Sequence, residues 1–196
     1  RGAAAPRAAA FRLGDGEVLH RTAKVRTQRI RTFHAPTGDG AIPRDFLTST
    51  FYVTTLRDAP LVTIDWIVGN DYVGADRPGD RVDPGLFPLG GVDVARVTLE
   101  LNGWTDVVVQ GADRHDVLVE RVDGKVRVTA MRNTWIDDGQ TRRYRLHAYV
   151  EAPYATAADR ALWRATLAAR ATAPPLALAD RATWSGARAF GIGGDL

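Results

Sequence analysis

The hairpin signal between Asp116 and Ala130 limits the fold of this chain more than any other feature. The stretch reads DVLVERVDGKVRVTA, and its centre is Asp123-Gly124, a pair favoured in two-residue turns whose central positions both need a positive φ. The turn sets the register of the flanking strands. The facing pairs are Val119 with Val128, Val117 with Ala130, and Glu120 with Arg127. One side is apolar and the other carries a complementary charge pair, so we predict an antiparallel hairpin with one face in a core.

A second pair of strands is predicted from Phe46 to Asn70. This stretch reads FLTSTFYVTTLRDAPLVTIDWIVGN, two runs rich in β-branched and aromatic residues with a turn at 57–60 between them. The second run alternates with a period of two residues, as a strand with one buried face does. The residues on its apolar face are Val62, Ile64, Trp66 and Val68. We expect this strand to lie at the centre of the core, with Trp66 as a core residue.

Further strands are predicted downstream of this pair. Val92 to Leu101 and Trp104 to Val109 flank Asn102-Gly103, another strong turn signal, and are predicted to form a hairpin. Arg143 to Val150 alternates as well. Its apolar face carries Tyr144, Leu146, Ala148 and Val150. Strands at such short spacings are typical of antiparallel sheets.

One helix is predicted, from Ala157 to Ala171, where alanine is frequent. Thr156 and Asp159 have the spacing of a capping box at its start, and Trp163 and Leu167 lie one turn apart. The fold class that follows is all-β: an antiparallel β-sandwich or barrel with one C-terminal helix. We divide the chain into three parts. They are a flexible lead-in at 1–16, an antiparallel β domain at 17–155, and a helix plus extended C-terminal segment packing on it at 156–196.

Composition excludes several classes of protein. Cysteine is absent, which rules out disulfides, thiolate metal sites and cysteine nucleophiles. No apolar run approaches the roughly 20 residues that a membrane-spanning helix needs, so no membrane span is predicted.

A cluster of cations lies in the segment 17–33, although the net charge is only +3. Its members are Lys24, Arg26, Arg29 and Arg31. Charges in a segment with few apolar residues suit an edge strand or an arm, and we predict that these four side chains form an interface. Nucleic-acid binding is the sharper alternative, but aromatic residues are nearly absent between the cations, so it is not favoured.

The loop from Asp71 to Gly91 is the candidate metal site. The sequence predicts no cofactor; the alternative is a calcium ion, for which Asp71, Asp76, Asp80 and Asp83 could provide oxygen ligands. Their spacing matches no EF-hand, and aspartate beside glycine and proline is also ordinary turn composition. Both interpretations stay open.

Five other residues are candidates for ligand contact: Trp104, Trp135, His115, Asp137 and Asp138. The two tryptophans lie near predicted turns, where an exposed ring could stack on a sugar. The two aspartates resemble the carboxylate pair of a sugar-cleaving site, although DDGQ also makes a hairpin turn. The chain has no GxSxG or HExxH motif and no phosphate-binding glycine motif that opens a helix, so we assign no catalytic residue. A Ser-His-Asp triad assembled only in space is left open.

Two stretches resemble a known family. TTLRDAPLVTIDWIVGND (54–71) and PPLALADRATWSGARAFG (174–191) are similar to parts of the exo-rhamnogalacturonan lyase-like polysaccharide lyases. The resemblance implies barrel and sandwich domains that precede an α/α catalytic region. It transfers no catalytic residue to this chain. A β-sandwich used in surface and virion appendages would show the same patterns.

We therefore expect a non-catalytic, β-rich structural or binding module of a larger surface assembly. A phage virion component of the tail, baseplate or decoration type fits, with other protein subunits as partners in a homo- or hetero-oligomer and with glycan contact. The location favoured is extracellular or on a virion surface. The alternative is an accessory segment of a polysaccharide lyase or glycoside hydrolase that acts on acidic polysaccharide.

Overall fold

The computed structural model describes residues 7–12, 15–36, 47–70, 92–110, 117–136 and 139–172. It contains eleven strands and one helix in these ranges. The strands are β1 (Arg7–Ala8), β2 (Glu17–Arg21), β3 (Val25–Phe33), β4 (Ala35–Pro36), β5 (Leu47–Leu56), β6 (Ala59–Asn70), β7 (Val92–Leu101), β8 (Asp106–Val109), β9 (Leu118–Val122), β10 (Lys125–Ile136) and β11 (Thr141–Tyr149), and the helix is α1 (Ala157–Thr172). The predicted all-β fold with a C-terminal helix is confirmed.

The strands form two main sheets with one core between them. The larger sheet has six strands in the order β2-β3-β5-β6-β11-β8, and the smaller has three in the order β7-β10-β9. Strands β1 and β4 form a short separate pair. All described pairs are antiparallel, and the sheets do not close on each other. The sandwich is therefore the correct alternative and the barrel is not.

The core is centred on β6, as its alternation predicted. Ile64, Trp66 and Val68 are all buried in a cluster to which both sheets contribute. The Trp66 ring lies 6.1 Å from the ring of Phe51 on β5 and 5.7 Å from that of Tyr144 on β11, measured between centroids. The prediction that Trp66 is a core residue is confirmed.

The predicted hairpin forms in the predicted register. Strand β9 pairs with β10 so that Val119 faces Val128 and Glu120 faces Arg127. Asp123 has a φ of 51° and Gly124 a φ of 75°, as the two-residue turn requires. The guanidinium of Arg127 reaches across the other edge of β10, where its Nη2 lies 2.7 Å from Glu100 Oε1 on β7. This ion pair connects β7 and β10, the two longest strands of the smaller sheet.

The predicted hairpin of Val92–Leu101 with Trp104–Val109 is wrong. Strand β7 pairs with β10, whereas β8 pairs with β11 in the other sheet. Gly103 does have a turn conformation, with a φ of 76°, but the chain leaves this turn toward the opposite sheet. The reason is packing, since Trp104 and the β8 residues Val107 and Val109 are buried between the sheets. Tertiary burial here outweighs the local turn signal.

Helix α1 covers one end of the outer face of the larger sheet. Its Leu167 is buried against Leu61 and Tyr149. The predicted capping box forms: the Asp159 amide donates to Thr156 Oγ1 at 3.1 Å, and the Thr156 amide donates to Asp159 Oδ2 at 2.9 Å. No helix within the described ranges is both long enough and apolar enough to cross a membrane.

The cation-rich segment forms the hairpin of β2 and β3. All five residues of β2 are exposed at the edge of the larger sheet, and β3 pairs with β5. Phe11, which lies within the predicted lead-in, packs on Phe51 with ring centroids 4.3 Å apart. This contact places residues 7–12 against the inner face of the larger sheet.

Candidate functional site

Seven of the predicted site residues lie outside the described part of the chain. They are Asp71, Asp76, Asp80, Asp83, His115, Asp137 and Asp138. The calcium loop and the carboxylate pair therefore stay predictions. Within the described ranges, no group of three or more histidine and acidic side chains is arranged to hold a metal ion.

The two candidate tryptophans lie far apart. Trp135 is 54% exposed and faces Asp93 near the start of β7, whereas Trp104 is 8% exposed and follows the end of β7. Eight residues of extended strand between these points span about 27 Å. The exposure expected near turns holds for Trp135 but not for Trp104. The two rings cannot form one stacking platform.

Four arginines lie on the outer face of the larger sheet, in two separate pairs. Directly opposed residues of neighbouring strands carry their side chains on the same face. One row across the sheet consists of Arg29, Tyr52, Asp65 and Arg145. The next row consists of Arg31, Thr50, Ile67 and Arg143. We call these eight residues the arginine face.

The arginine face has cations on two sides and a less polar centre. Two arginines lie on β3 and two on β11, and β5 and β6 run between them. Three strand spacings of roughly 4.8 Å place the two pairs of backbone positions about 14 Å apart. Tyr52 and Ile67, both half-buried, lie between them. The surface is therefore wide enough for one extended chain to lie between the two arginine pairs.

Asp65 fixes both arginines of β11. Its Oδ1 accepts from Arg145 Nε at 2.7 Å and from Arg143 Nε at 3.1 Å, and its Oδ2 accepts from Arg145 Nη2 at 3.0 Å. The carboxyl is only 15% exposed, and this burial raises its pKa. The hydrogen bonds and charges of Arg145 and Arg143 outweigh burial, so the pKa of Asp65 lies below its usual value. One carboxylate thus orients two guanidiniums that keep a net positive charge.

The arginines of β3 also have partners. Arg29 Nη2 lies 2.6 Å from Glu17 Oε2 on β2, in a pair that is largely exposed. The guanidinium of Arg31 lies 5.3 Å from the centroid of the Phe33 ring. Since an exposed ion pair contributes little and is easily exchanged, Arg29 can turn to an external anion. The four arginines of the face are opposed by two carboxylates, that of Asp65 within the face and that of Glu17 beside it on β2.

The predicted interface is only partly on this face. Arg29 and Arg31 belong to it, while Arg26 alternates to the other side of β3 and Lys24 lies in the β2–β3 turn. The sequence analysis missed Arg143 and Arg145. Their alternation with Tyr144 and Leu146 was the available signal, because it places both arginines on the solvent side of a predicted strand.

A cleft on the inner side of the same sheet contains a hydrogen-bonded pair, the buried Ser49 and the half-buried His34. His34 Nε2 is 2.8 Å from Ser49 Oγ, and the indole N–H of Trp66 donates to the same oxygen at 3.0 Å. The sequence analysis assigned no role to His34 or Ser49. No spacing motif marks them, because the pairing of β5 with the β3 segment brings them together from 15 positions apart.

No protein-family model, no curated protein and no solved structure matches the chain.

Proposed function

We propose that this chain is a non-catalytic binding module of a larger surface assembly and that its arginine face binds an acidic polysaccharide. The observation that carries the proposal is the placement of two arginines on each side of Tyr52 and Ile67. Two distant parts of the chain provide these arginines, and only the register of four strands aligns them.

The chemistry of the face suits a chain of acidic sugars. Each guanidinium can donate two parallel hydrogen bonds to a carboxylate or sulfate group. The half-buried Tyr52 offers part of an aromatic ring to the apolar face of a sugar. Asp65 holds Arg143 and Arg145 in place before binding, which lowers the entropic cost of association.

Binding fits the described groups of this face better than cleavage does. Glycoside hydrolysis uses two carboxyl groups, of which one is protonated near neutral pH. Of the eight residues that make up the face, Asp65 is the one acid. Its depressed pKa keeps it ionised, which suits it to orient arginines and not to donate a proton.

Two wider contexts are consistent with such a module. A virion tail, baseplate or decoration component would use the face to hold a surface glycan, with other subunits attached elsewhere. An accessory region of a polysaccharide lyase or glycoside hydrolase would hold an acidic substrate for a catalytic region. The second context is the alternative, and it is supported by the sequence resemblance to exo-rhamnogalacturonan lyase-like proteins. Both imply an extracellular or virion-surface location.

Binding to polygalacturonate tests the proposal, with neutral dextran as the control polymer. We expect polygalacturonate to bind in low salt, to weaken as salt rises, and to lose roughly tenfold or more in affinity in the double variant Arg29→Ala/Arg31→Ala. The matched variant is Arg96→Ala/Arg132→Ala, which also removes two exposed arginines, both from the smaller sheet. Equal binding of dextran, or an equal loss in Arg96→Ala/Arg132→Ala, would refute a specific role for the face.

A further inference from the structure

The inter-sheet cleft is separate from the arginine face and lies on the opposite side of the larger sheet. Its volume is 480 Å³, within the range of small-molecule sites. The N-terminal segment at 8–11 forms one wall, and the end of β7 at 98–101 forms the other. Phe51, Trp66 and Trp104 line it together with Ser49 and His34. The cleft therefore combines aromatic rings with one polar pair, the buried Ser49 and the half-buried His34.

The Ser49 hydroxyl has one hydrogen-bonding function left after its two observed contacts. The side chain is 2% exposed, and a hydroxyl has one donor and two lone pairs. The Trp66 N–H occupies one lone pair. If the hydroxyl donates to His34 Nε2, a lone pair is left to accept. If His34 Nε2 donates instead, the O–H is left to donate.

The remaining hydrogen-bonding function of Ser49 determines which ligand group can bond to it. A ligand hydroxyl can both donate and accept, so it suits either tautomer of His34. A carbonyl could only accept, and it would fit one of the two states. A ligand hydroxyl can therefore hydrogen-bond to Ser49 in either tautomer of His34.

The rest of the lining selects the ligand body and its charge. Aromatic side chains stack well on an aromatic ring. Among the described residues that line the cleft, His34 and Glu100 are ionisable; Glu100 is paired with Arg127 at 2.7 Å, and His34 shares a hydrogen bond with Ser49. Since most of the described lining residues are apolar, a charged ligand would lose hydration with little compensation, and the lining favours a neutral ligand.

We propose that this cleft is a binding site for a neutral aromatic ring that carries one hydroxyl group, the chemistry of phenols and of a tyrosine side chain. The hydroxyl bonds Ser49 at the base of the cleft, and the ring lies among the aromatic side chains. The proposal is independent of polysaccharide binding, because the two sites use opposite faces of the sheet.

The test compares p-cresol with p-xylene, which has the same shape but a methyl group in place of the hydroxyl. Binding to the full chain is measured by amide chemical shifts in NMR and by calorimetry. We expect p-cresol to shift amides of residues 49–53 and 98–101 and to bind up to about tenfold more tightly than p-xylene. No shift at these positions with millimolar p-cresol, or equal affinity for both probes, overturns the proposal.

Two variants sharpen the comparison. Ser49→Ala is expected to remove the preference for p-cresol while leaving p-xylene affinity unchanged. Because this change also takes a partner from the buried Trp66 N–H, a second variant is needed that spares the core. Ala9→Trp places a large ring at the exposed wall and is expected to abolish binding of both probes with an unchanged circular dichroism spectrum. Unchanged p-cresol binding in a folded Ala9→Trp variant refutes the assignment to this cleft.

Discussion

Asp65 and Arg145 face each other across β6 and β11, with Oδ1 and Nε 2.7 Å apart. Arg143 donates to the same carboxylate oxygen, so one acid on the outer face of the sheet holds two cations. This arrangement gives the arginine face a structural role besides the binding role that we propose, and measurements of stability can test that structural role.

Replacement of Asp65 by asparagine is expected to destabilise the fold by about 1.5–3 kcal/mol at pH 7, the range for hydrogen bonds to charged groups. The folded-state pKa of Asp65 is lowered, so its stabilisation is fully present above the unfolded pKa, near 3.8, and is lost as the pH falls through the lower folded value. Urea denaturation at pH 7 and pH 3 measures both effects. Equal stability of variant and wild type at pH 7 would contradict this role.

His147 is expected to make the protein less stable in weak acid. Burial, then the positive charges of Arg170 and Arg145, lower the pKa of His147 to about 4. Its Nδ1 lies 3.2 Å from Thr63 Oγ1, and within the described residues its Nε2 has no hydrogen-bond partner. Protonation therefore has little compensation inside the fold.

The unfolded chain binds a proton at this histidine near pH 6.5, whereas the folded chain does so only near pH 4. Stability should fall as the pH drops through this window, by up to about 3 kcal/mol. In His147→Gln, which stays neutral, this part of the pH dependence should vanish. Urea melts between pH 4 and 7 measure it, and an NMR titration midpoint near 6.5 for His147 would refute the prediction.

Leu167 attaches helix α1 to the sheet. It is buried against Leu61 and Tyr149, so Leu167→Ala should cost about 2–5 kcal/mol through lost burial and the cavity left behind. Leu162 on the same helix is exposed, and Leu162→Ala should change the free energy of unfolding by no more than about 0.5 kcal/mol. Chemical denaturation of both variants makes the comparison, and similar costs would show that the helix does not dock through Leu167.

Gly124 is needed for its backbone conformation. Its φ is 75°, and a Cβ at this position would meet no atom of the described residues within 4 Å. Gly124→Ala should therefore cost about 1–2 kcal/mol from backbone strain alone. Gly124→Asn should cost less, because asparagine tolerates this conformation. Thermal melts of the two variants test the order, and a larger cost for asparagine would argue for a steric cause.

Local patterns predicted the parts of the fold in which neighbours in sequence are neighbours in space. The Asp123-Gly124 turn and the alternation around it were sufficient for the register of β9 and β10. The Asn102-Gly103 turn looked equivalent, but burial of Trp104 between the sheets directs the chain elsewhere. Such a choice depends on the whole core and leaves no local signal.

The residues of the candidate site also fall into two groups, those that a local sequence pattern marked and those that it did not. Arg29 and Arg31 stood out as charges crowded in one segment, while Arg143 and Arg145 looked like ordinary solvent positions of a strand. Only the order of β3, β5, β6 and β11 aligns the two pairs. His34 and Ser49 were likewise unmarked, because a strand pairing brings them together.

The crossing between sheets after Gly103 also affects the order in which the chain can fold. Consecutive strands β7 and β8 belong to different sheets, and so do β10 and β11. The smaller sheet has all its strands by Ile136, but the larger sheet cannot be completed before β11, which pairs with β6 and follows it some seventy residues later. Contacts between residues so distant in sequence are expected to make folding slow. A nascent chain that has emerged only as far as Ile136 would lack the strand that joins β6 to β8, and would be expected to depend on protection from aggregation until that strand appears.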